Sequence, residues 1–272
     1  MTMPVRPAAV AGMFYPGERS ALRGEVDAML AAAAGPETQE RQPKALLVPH
    51  AGYVYSGPVA AAAYARLAPW RSRIRRVVMF GPAHRVAVHG LALPQSAAFS
   101  TPLGTVPVDA QAVALARRLP GVVESEQAHA LEHCLEVQLP FLQSVLDDFA
   151  LVPFAVGFAQ GEDVARVIEA LWGGPETLIV VSSDLSHYHP YREAQQLDRS
   201  TAQAILALES GLDHEQACGA TPIDGLLLCA RRRGLTPRLL DLRNSGDTAG
   251  DRARVVGYAA FAFYEEEPGD VH

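Results

Sequence analysis

The chain lacks the features that define several classes of protein. Its 272 residues include only three cysteines, Cys134, Cys218 and Cys229, and no two of them form a Cys-x-x-Cys pair. An odd number of dispersed thiols is typical of a reducing compartment and argues against a disulfide framework. Basic residues are in the minority, with 23 lysines and arginines against 30 acidic residues and a net charge of −7. We therefore expect a cytoplasmic protein that does not bind nucleic acid, since nucleic-acid binding requires a basic surface.

Several functional motifs are absent as well. The sequence contains no G-x-G-x-x-G or P-loop pattern for nucleotides and no G-x-S-x-G elbow for a serine hydrolase. No apolar signal segment follows the first residues, and the alanine-rich stretch that begins at Ala60 is too short and too polar to cross a bilayer. Cys134 and His133 are neighbours on a predicted helix and do not face each other, and Cys218 shares no motif with a histidine. We expect neither membrane insertion nor thiol catalysis.

What the sequence does contain is a regular alternation of apolar runs and helical patterns. Hydrophobic residues make up 49% of the chain, which is enough to form a core. Short apolar runs predict buried strands at residues 45–48, 76–80, 149–156, 177–181, 238–242 and 255–263. Helical spacing is found at residues 18–34, 110–119, 132–146, 161–172, 191–208 and 223–233, with a further helix opened by Gly57 and Pro58 and a loop at 35–43. This alternation predicts one α/β domain over residues 1–272 with a doubly wound central sheet.

Histidines stand where the predicted strands end. His50 follows the first strand, His84 follows the second, and Asp184 and His187 follow the strand at residues 177–181. Ligands of open α/β sheets bind at the carboxyl ends of the strands. Imidazoles at that edge of the sheet indicate a metal site or acid–base chemistry.

Two imidazoles and one carboxylate form the ligand set of non-haem iron(II) enzymes, and three such ligands with a water also suit zinc. His50 and His84 can face each other if their strands are neighbours, as sequential strands often are. Asp247 can supply the carboxylate from the polar, glycine-punctuated loop at residues 244–251. The alternative is that Asp247 is an ordinary turn residue, since aspartate is common in turns.

Three further residues are candidates for acid–base catalysis. Asp184 within reach of His187 can fix the tautomer of the imidazole and raise its basicity. The alternative for Asp184 is a capping role at a helix or turn. His133 is flanked by Glu132 and Glu136, where it is either a partly buried histidine paired with glutamate or an acid–base catalyst.

The same segments carry a resemblance to the Memo family. The similarity runs over residues 7–264. It is carried by five motifs in order: AAVAGMFYP at 8–16, PHAGY at 49–53, GPAH at 81–84, EHCLEVQLP at 132–140 and SSDLSH at 182–187.

The resemblance implies a fold and a metal pocket. The fold is that of class III extradiol dioxygenases, one α/β domain in which helices flank a central mixed sheet. In the Memo family the histidines at the positions of His50 and His84 are metal ligands. The residues at the positions of His133, Asp184 and His187 line the pocket. Prokaryotic members belong to the AmmeMemoRadiSam system, which implies a radical SAM partner protein.

This chain departs from the animal members at two positions. Animal members carry a cysteine ligand in the C-terminal loop, where this chain has Thr248, so we expect a pocket without a thiolate ligand. Asp247 then becomes the expected third ligand, with Thr248 or no third residue as the alternatives. Val10 replaces a histidine of the animal members. A carboxylate in place of a thiolate favours iron(II), with copper and zinc as the other candidate metals.

Two hypotheses of function follow. The first is a dioxygenase-like oxidoreductase in which His50, His84 and Asp247 hold iron(II) and His133, Asp184 and His187 are catalytic. The second is a non-catalytic protein whose pocket holds a small molecule, a peptide or a metal ion, and which acts as a scaffold or metal-handling partner. The site alone does not decide between them, since one fold and one site support several reactions.

Overall fold

A computed structural model of the protein describes residues 4–34 and 41–266. The loop predicted at 35–43 therefore lies largely outside the described residues. The strands of the described ranges are β1 Val5–Arg6, β2 Pro43–Val48, β3 Arg76–Pro82, β4 Leu91–Leu93, β5 Ala98–Thr101, β6 Gly104–Pro107, β7 Val122–Glu124, β8 Ala150–Val156, β9 Thr177–Ser182, β10 His187–His189, β11 Thr236–Asn244 and β12 Val255–Tyr264.

The helices lie between these strands. They are α1 Arg19–Ala33, α2 Tyr53–Tyr64, α3 Ala110–Ala116, α4 Glu126–Ala130, α5 Leu139–Val145, α6 Gly161–Ala170, α7 Tyr191–Leu206, α8 Ala220–Arg233 and α9 Ser245–Thr248, with 3-10 turns at Ala65–Trp70 and Glu136–Gln138. In the described part of the chain, no helix combines the length and apolar character that a bilayer span requires.

One large mixed sheet organises the molecule. Its order is β10-β12-β2-β9-β3-β8-β4-β7, with β11 on β12, and β1, β5 and β6 form a small separate sheet. The four central strands, β2, β9, β3 and β8, are parallel, whereas β12 and β4 pair antiparallel with their inner neighbours. Every residue of β2 and β9 is buried. Burial on both faces explains their continuous apolar runs, and the prediction of a central mixed sheet is confirmed.

Helices cover both faces of this sheet. Side chains alternate along β2, so that Leu46 and Val48 join the core under α1, α2 and α5, while Ala45 and Leu47 join the core under α6 and α8. Helices α6 and α8 pack so closely that a side chain at position 225 would collide with Val164. Gly225 permits this close approach. The two cores hold the strands rigidly, and rigid strands fix the positions of the loops at their ends.

The segment at residues 132–146 differs from its prediction as one helix. It forms a turn, then the 3-10 turn Glu136–Gln138 and then α5. Pro140 stands at the start of α5, where its missing N–H costs nothing. Before it, the Glu132 carboxylate accepts hydrogen bonds from the backbone N–H groups of His133 and Cys134. These side-chain bonds satisfy donors that an earlier start of the helix would otherwise use.

Candidate metal centre

The carboxyl ends of β2, β9 and β3 meet at one edge of the sheet, because these strands are parallel neighbours. His50 stands two residues after β2, His84 two residues after β3, and Asp184 two residues after β9. The strands of His50 and His84 are not direct neighbours, since β9 lies between them. The two rings nevertheless approach to 5.2 Å between centroids. The loops after β2 and β3 therefore approach each other above the end of β9.

His133 reaches the same point from the turn before the segment Glu136–Gln138. Its ring lies 4.7 Å from the ring of His84 and 5.3 Å from that of His50. This approach depends on Gly81 in β3, because a Cβ at that position would lie 2.6 Å from Sγ of Cys134. One ring nitrogen from each of the three histidines lies within 4.8 Å of the others, and the group can hold a metal ion.

The tautomer of His50 follows from its hydrogen bonds. Its Nδ1 lies 3.0 Å from Oγ of Ser182. That hydroxyl donates to the carbonyl of Cys134 at 2.7 Å and accepts from Nε2 of Gln138 at 2.8 Å. Since the single hydroxyl proton is used, the remaining bond is donated by Nδ1–H of His50. Nε2 of His50 is therefore the unprotonated ring nitrogen, as a metal ligand must be.

Glu132 fixes the other two histidines. Its carboxylate lies 2.9 Å from Nδ1 of His84 and accepts the backbone N–H of the same residue at 2.7 Å. It also lies 3.1 Å from Nδ1 of His133. The side chain is 2% exposed. Burial alone would raise its pKa, but the hydrogen bonds with His133 and His84 outweigh burial and hold the pKa of Glu132 well below its usual range. A buried carboxylate behind an imidazole is the common support of a metal-binding histidine.

The charges of the surrounding groups suit a cation site. Burial, helped by the neighbouring His84 and His133, lowers the pKa of His50, so this imidazole is neutral at pH 7. Burial also lowers the pKa of His187 and raises the pKa of Asp184 to about 6. In the described structure the Asp184 carboxylate bonds the backbone N–H of His50 at 2.7 Å, and no bond joins it to the ring of His187. No hydrogen bond of the described structure therefore supports the expected role of Asp184 in orienting His187.

Cys218 is a residue of this site that sequence reasoning missed. Its Sγ lies 3.2 Å from Nε2 of His50, although the two residues are 168 positions apart. The thiol comes from the segment before α8 and not from the loop of Thr248. The expected absence of a thiolate ligand stays a prediction, because among the described residues Cys218 joins no group that can hold a metal ion. Burial, with a smaller contribution from Asp184, raises the pKa of Cys218 to about 12. The thiol is therefore protonated at neutral pH until a metal displaces the proton.

Asp247 and Thr248 lie elsewhere. The Asp247 carboxylate caps α9 by accepting the backbone N–H of Asn244 at 3.1 Å, and it accepts a hydrogen bond from the hydroxyl of Tyr191. Oγ1 of Thr248 donates to the carbonyl of Ser245 at 3.2 Å. Among the described residues, neither joins a group that can hold a metal ion. The structure thus gives Asp247 the capping and turn role that was the alternative to a ligand.

The cluster lies at the bottom of an open cavity of 680 Å³. Its lining brings together His50, His84, His133, Asp184 and His187, with Tyr188, His189, His214, Glu215 and Cys218 around them. Three consecutive residues of β10 reach this cavity, which a regular strand does not allow. Tyr188 has a φ of 63°, and the pairing of β10 with β12 shifts register at this point. Such bulges redirect side chains beside functional sites.

Comparison with known proteins identifies the family of this chain. The model of the family described as "Memo-like protein" matches residues 6–262. A MEMO1 family protein of Aquifex aeolicus is 36% identical over 96% of this chain and its own full length. Relatives with the same family name from Methanothermobacter thermautotrophicus and Ignicoccus hospitalis are 35% and 37% identical over 94% and 96% of this chain, and 99% of each of those proteins is covered.

A crystal structure of an uncharacterized protein from Escherichia coli K12 is a more distant match. It shares 15% sequence identity, with a TM-score of 0.48 over 80% of this chain and 99% of that one. A likeness of this size supports no inference about function. The family model and the relatives align along nearly the whole chain, and the protein therefore belongs to the Memo family.

Proposed function

We propose that the protein is a metal-dependent, dioxygenase-like oxidoreductase that holds iron(II) on His50, His84 and His133. The observation that carries the proposal is the convergence of the three imidazoles at the bottom of an open cavity. The tautomer of His50 and the carboxylate behind His84 turn these rings toward a common point. Neutral imidazoles suit iron, zinc and copper.

The donor set passes a chemical test of fit. Nδ1 of His133 is buried and makes no well-aligned hydrogen bond, although Glu132 lies 3.1 Å away. A ring that is stacked on His84 and lacks a well-aligned partner is available as a ligand. Iron(II) in this place would supply Lewis acidity toward a substrate oxygen and one-electron chemistry with O₂.

The chain supplies proton transfer beside the metal. Asp184 is 5% exposed, lines the cavity and has a pKa of about 6, so both protonation states are accessible near neutral pH. His187 lines the same cavity and is kept neutral by its lowered pKa. We assign His187 as the base that takes a substrate proton and Asp184 as the acid that returns one. His133 then serves as a ligand, and not as an acid–base catalyst.

Cys218 favours a second candidate function. A thiolate beside His50 and His84 selects softer ions, copper(I) above all. In that case the protein handles metal or provides a binding pocket for a small molecule or peptide, and works with a radical SAM partner protein. The three cysteines are free, as a reducing, cytoplasmic setting requires.

Elemental analysis of anaerobically purified, untagged protein separates the two functions. Iron near one equivalent, lost in the His50→Ala/His84→Ala variant, is the result we expect, together with O₂ uptake in a panel of aromatic diols. Copper that depends on Cys218, without O₂ uptake, favours metal handling. If neither protein contains any metal, both metal-dependent functions are overturned and the histidines line a binding pocket for a small molecule or peptide.

A further inference from the structure

A second cavity opens beside the metal cavity. It has a volume of 370 Å³ and shares His84, His214 and Cys218 with the metal cavity, so the two spaces meet at the candidate ligands. We call it the side cavity. A molecule whose reactive atoms lie at the histidines can therefore extend into the side cavity without leaving the protein.

Two walls of the side cavity are apolar. They are formed by Ala83, Val86 and Val88 from the loop after β3 and by Val156 and Phe158 at and after the end of β8, while His84, Arg85 and His214 line the rest. Phe158 is 70% exposed, and its ring lies tilted beside that of His89, with 5.3 Å between the ring centroids. An exposed phenylalanine over an apolar cleft gains most when an apolar group of a ligand covers it.

The side cavity is a fixed feature of the fold. Its two walls are joined by backbone hydrogen bonds from Ala83 N–H to the carbonyl of Val156 at 2.8 Å and from Phe158 N–H to the carbonyl of Val88 at 2.7 Å. Gly157 lies so close to the opposite wall that a Cβ would be 2.1 Å from the carbonyl oxygen of Val88. Preformed walls bind a ligand without a cost for ordering the loop.

Arg85 adds a positive charge to this apolar space. It lines the side cavity and is exposed. Within the described ranges its side chain has no hydrogen bond, ion pair or ring contact, in contrast to Arg76, which pairs with Asp109 at 2.7 Å. An arginine without a protein partner beside a binding cleft is suited to a carboxylate or phosphate of the ligand.

We propose that the substrate of the metal site carries an apolar substituent that occupies the side cavity and an anionic group that pairs with Arg85. The proposal rests on the metal site proposed above. It narrows the substrate to a metal-binding head, an apolar substituent and an anionic group, because His84, the apolar residues and Arg85 all line the side cavity.

The test uses hydroxamates, which bind metal ions through their head group, on anaerobic iron(II)-loaded protein. Acetohydroxamate reports the metal site alone. Hexanohydroxamate adds an apolar tail, and the monohydroxamate of pimelic acid adds a carboxylate to the end of that tail. Dissociation constants are measured by calorimetry for the wild type, Arg85→Gln, Ala87→Trp and the control Arg118→Gln. Ala87 is an exposed residue of the side cavity, and Arg118 is an exposed arginine on none of its walls.

We expect hexanohydroxamate to bind at least about tenfold more tightly than acetohydroxamate, since each fully buried CH₂ is worth about fourfold. Ala87→Trp should remove that gain and leave acetohydroxamate unaffected. The terminal carboxylate should add about threefold, a gain that Arg85→Gln removes and Arg118→Gln keeps.

The outcomes distinguish the two proposals. If acetohydroxamate fails to bind, the metal site itself fails and this inference falls with it. If acetohydroxamate binds and the tail adds nothing, the metal site stands and the side cavity is not a substrate site. A carboxylate gain that survives Arg85→Gln overturns the role of Arg85.

Discussion

Replacing Glu132 with glutamine should weaken metal binding more than it disturbs the fold. The carboxylate of Glu132 receives hydrogen bonds from the backbone N–H groups of His84, His133 and Cys134 and from the ring of His84. Glutamine has the same shape but offers one acceptor atom, so at least one buried N–H loses its partner. That loss costs about 1–3 kcal/mol of folding free energy. Loss of the carboxylate behind a ligating histidine lowers metal affinity by about 10–100-fold.

The assay for Glu132→Gln pairs metal competition against a chromophoric chelator with urea unfolding of the metal-free protein. The matched control is Glu126→Gln, because Glu126 also accepts hydrogen bonds from Ser96 and the backbone but lies away from the histidines. The control should lose stability and keep its metal affinity. Wild-type metal affinity in Glu132→Gln, with affinity lost in His84→Ala, would refute the supporting role of this carboxylate.

The folding stability of Glu132→Gln should also differ from that of wild type in its dependence on pH. The pKa of Glu132 is held below its ordinary value of 4.5 in the folded protein. A carboxylate with a lowered pKa stabilises the fold above the unfolded value, and this stabilisation is lost as the pH falls. The stability gap between wild type and Glu132→Gln should therefore narrow as the pH is lowered below about 4.5.

Three further predictions test other parts of the account. Asp247→Asn should leave metal affinity unchanged in the chelator assay, because Asp247 caps α9; a tenfold loss would restore it as a ligand. Cys218→Ser should keep iron(II) affinity within about threefold and lose copper(I) affinity, and equal loss of both metals would contradict the all-histidine iron site. Burial raises the pKa of Asp198 from 3.8 to about 6, which penalises folding as the pH rises between these values. The unfolding free energy of Asp198→Asn relative to wild type should therefore rise by about 3 kcal/mol between pH 4 and 6 and stay level above pH 6. Urea unfolding measures this difference, and a difference that does not change with pH would refute the prediction.

The fold was largely predictable from the sequence. The buried strands β2 and β9 carry continuous apolar runs at residues 45–48 and 178–181, and Pro49 marks the end of the first run. The strand order was not predictable, because local patterns carry no information on which strands pair. The insertion of β9 between β2 and β3 is a property of the assembled sheet.

The site residues that directly follow buried strands were predictable from the sequence. Polar residues after buried strands identified His50, His84, Asp184 and His187, because parallel strands end at one edge. His133 was placed in a helix, since the pattern does not reveal that the Glu132 side chain competes for the backbone donors.

Two residues of the site show where sequence reasoning fails. Cys218 reaches His50 only through the packing of the segment before α8 against the end of β9, and Gly219 is needed there because a Cβ would lie 2.7 Å from Cβ of Ser183. No nearby motif signals this approach. Asp247 is the opposite case, a residue that the sequence suggests as a ligand and the structure does not. Its glycine-rich surroundings suit a ligand and a helix cap equally, and only the hydrogen bond from Asn244 identifies it as a cap.

The most direct test of the account is anomalous diffraction at the iron edge from crystals loaded anaerobically with iron(II). We expect one peak at bonding distance, about 2 Å, from Nε2 of His50 and of His84, with His133 as the third donor. A peak bonded to Cys218 in place of His133 would shift the site toward softer metals. A peak away from His50 and His84, or one bonded to Asp247, would contradict the central claim.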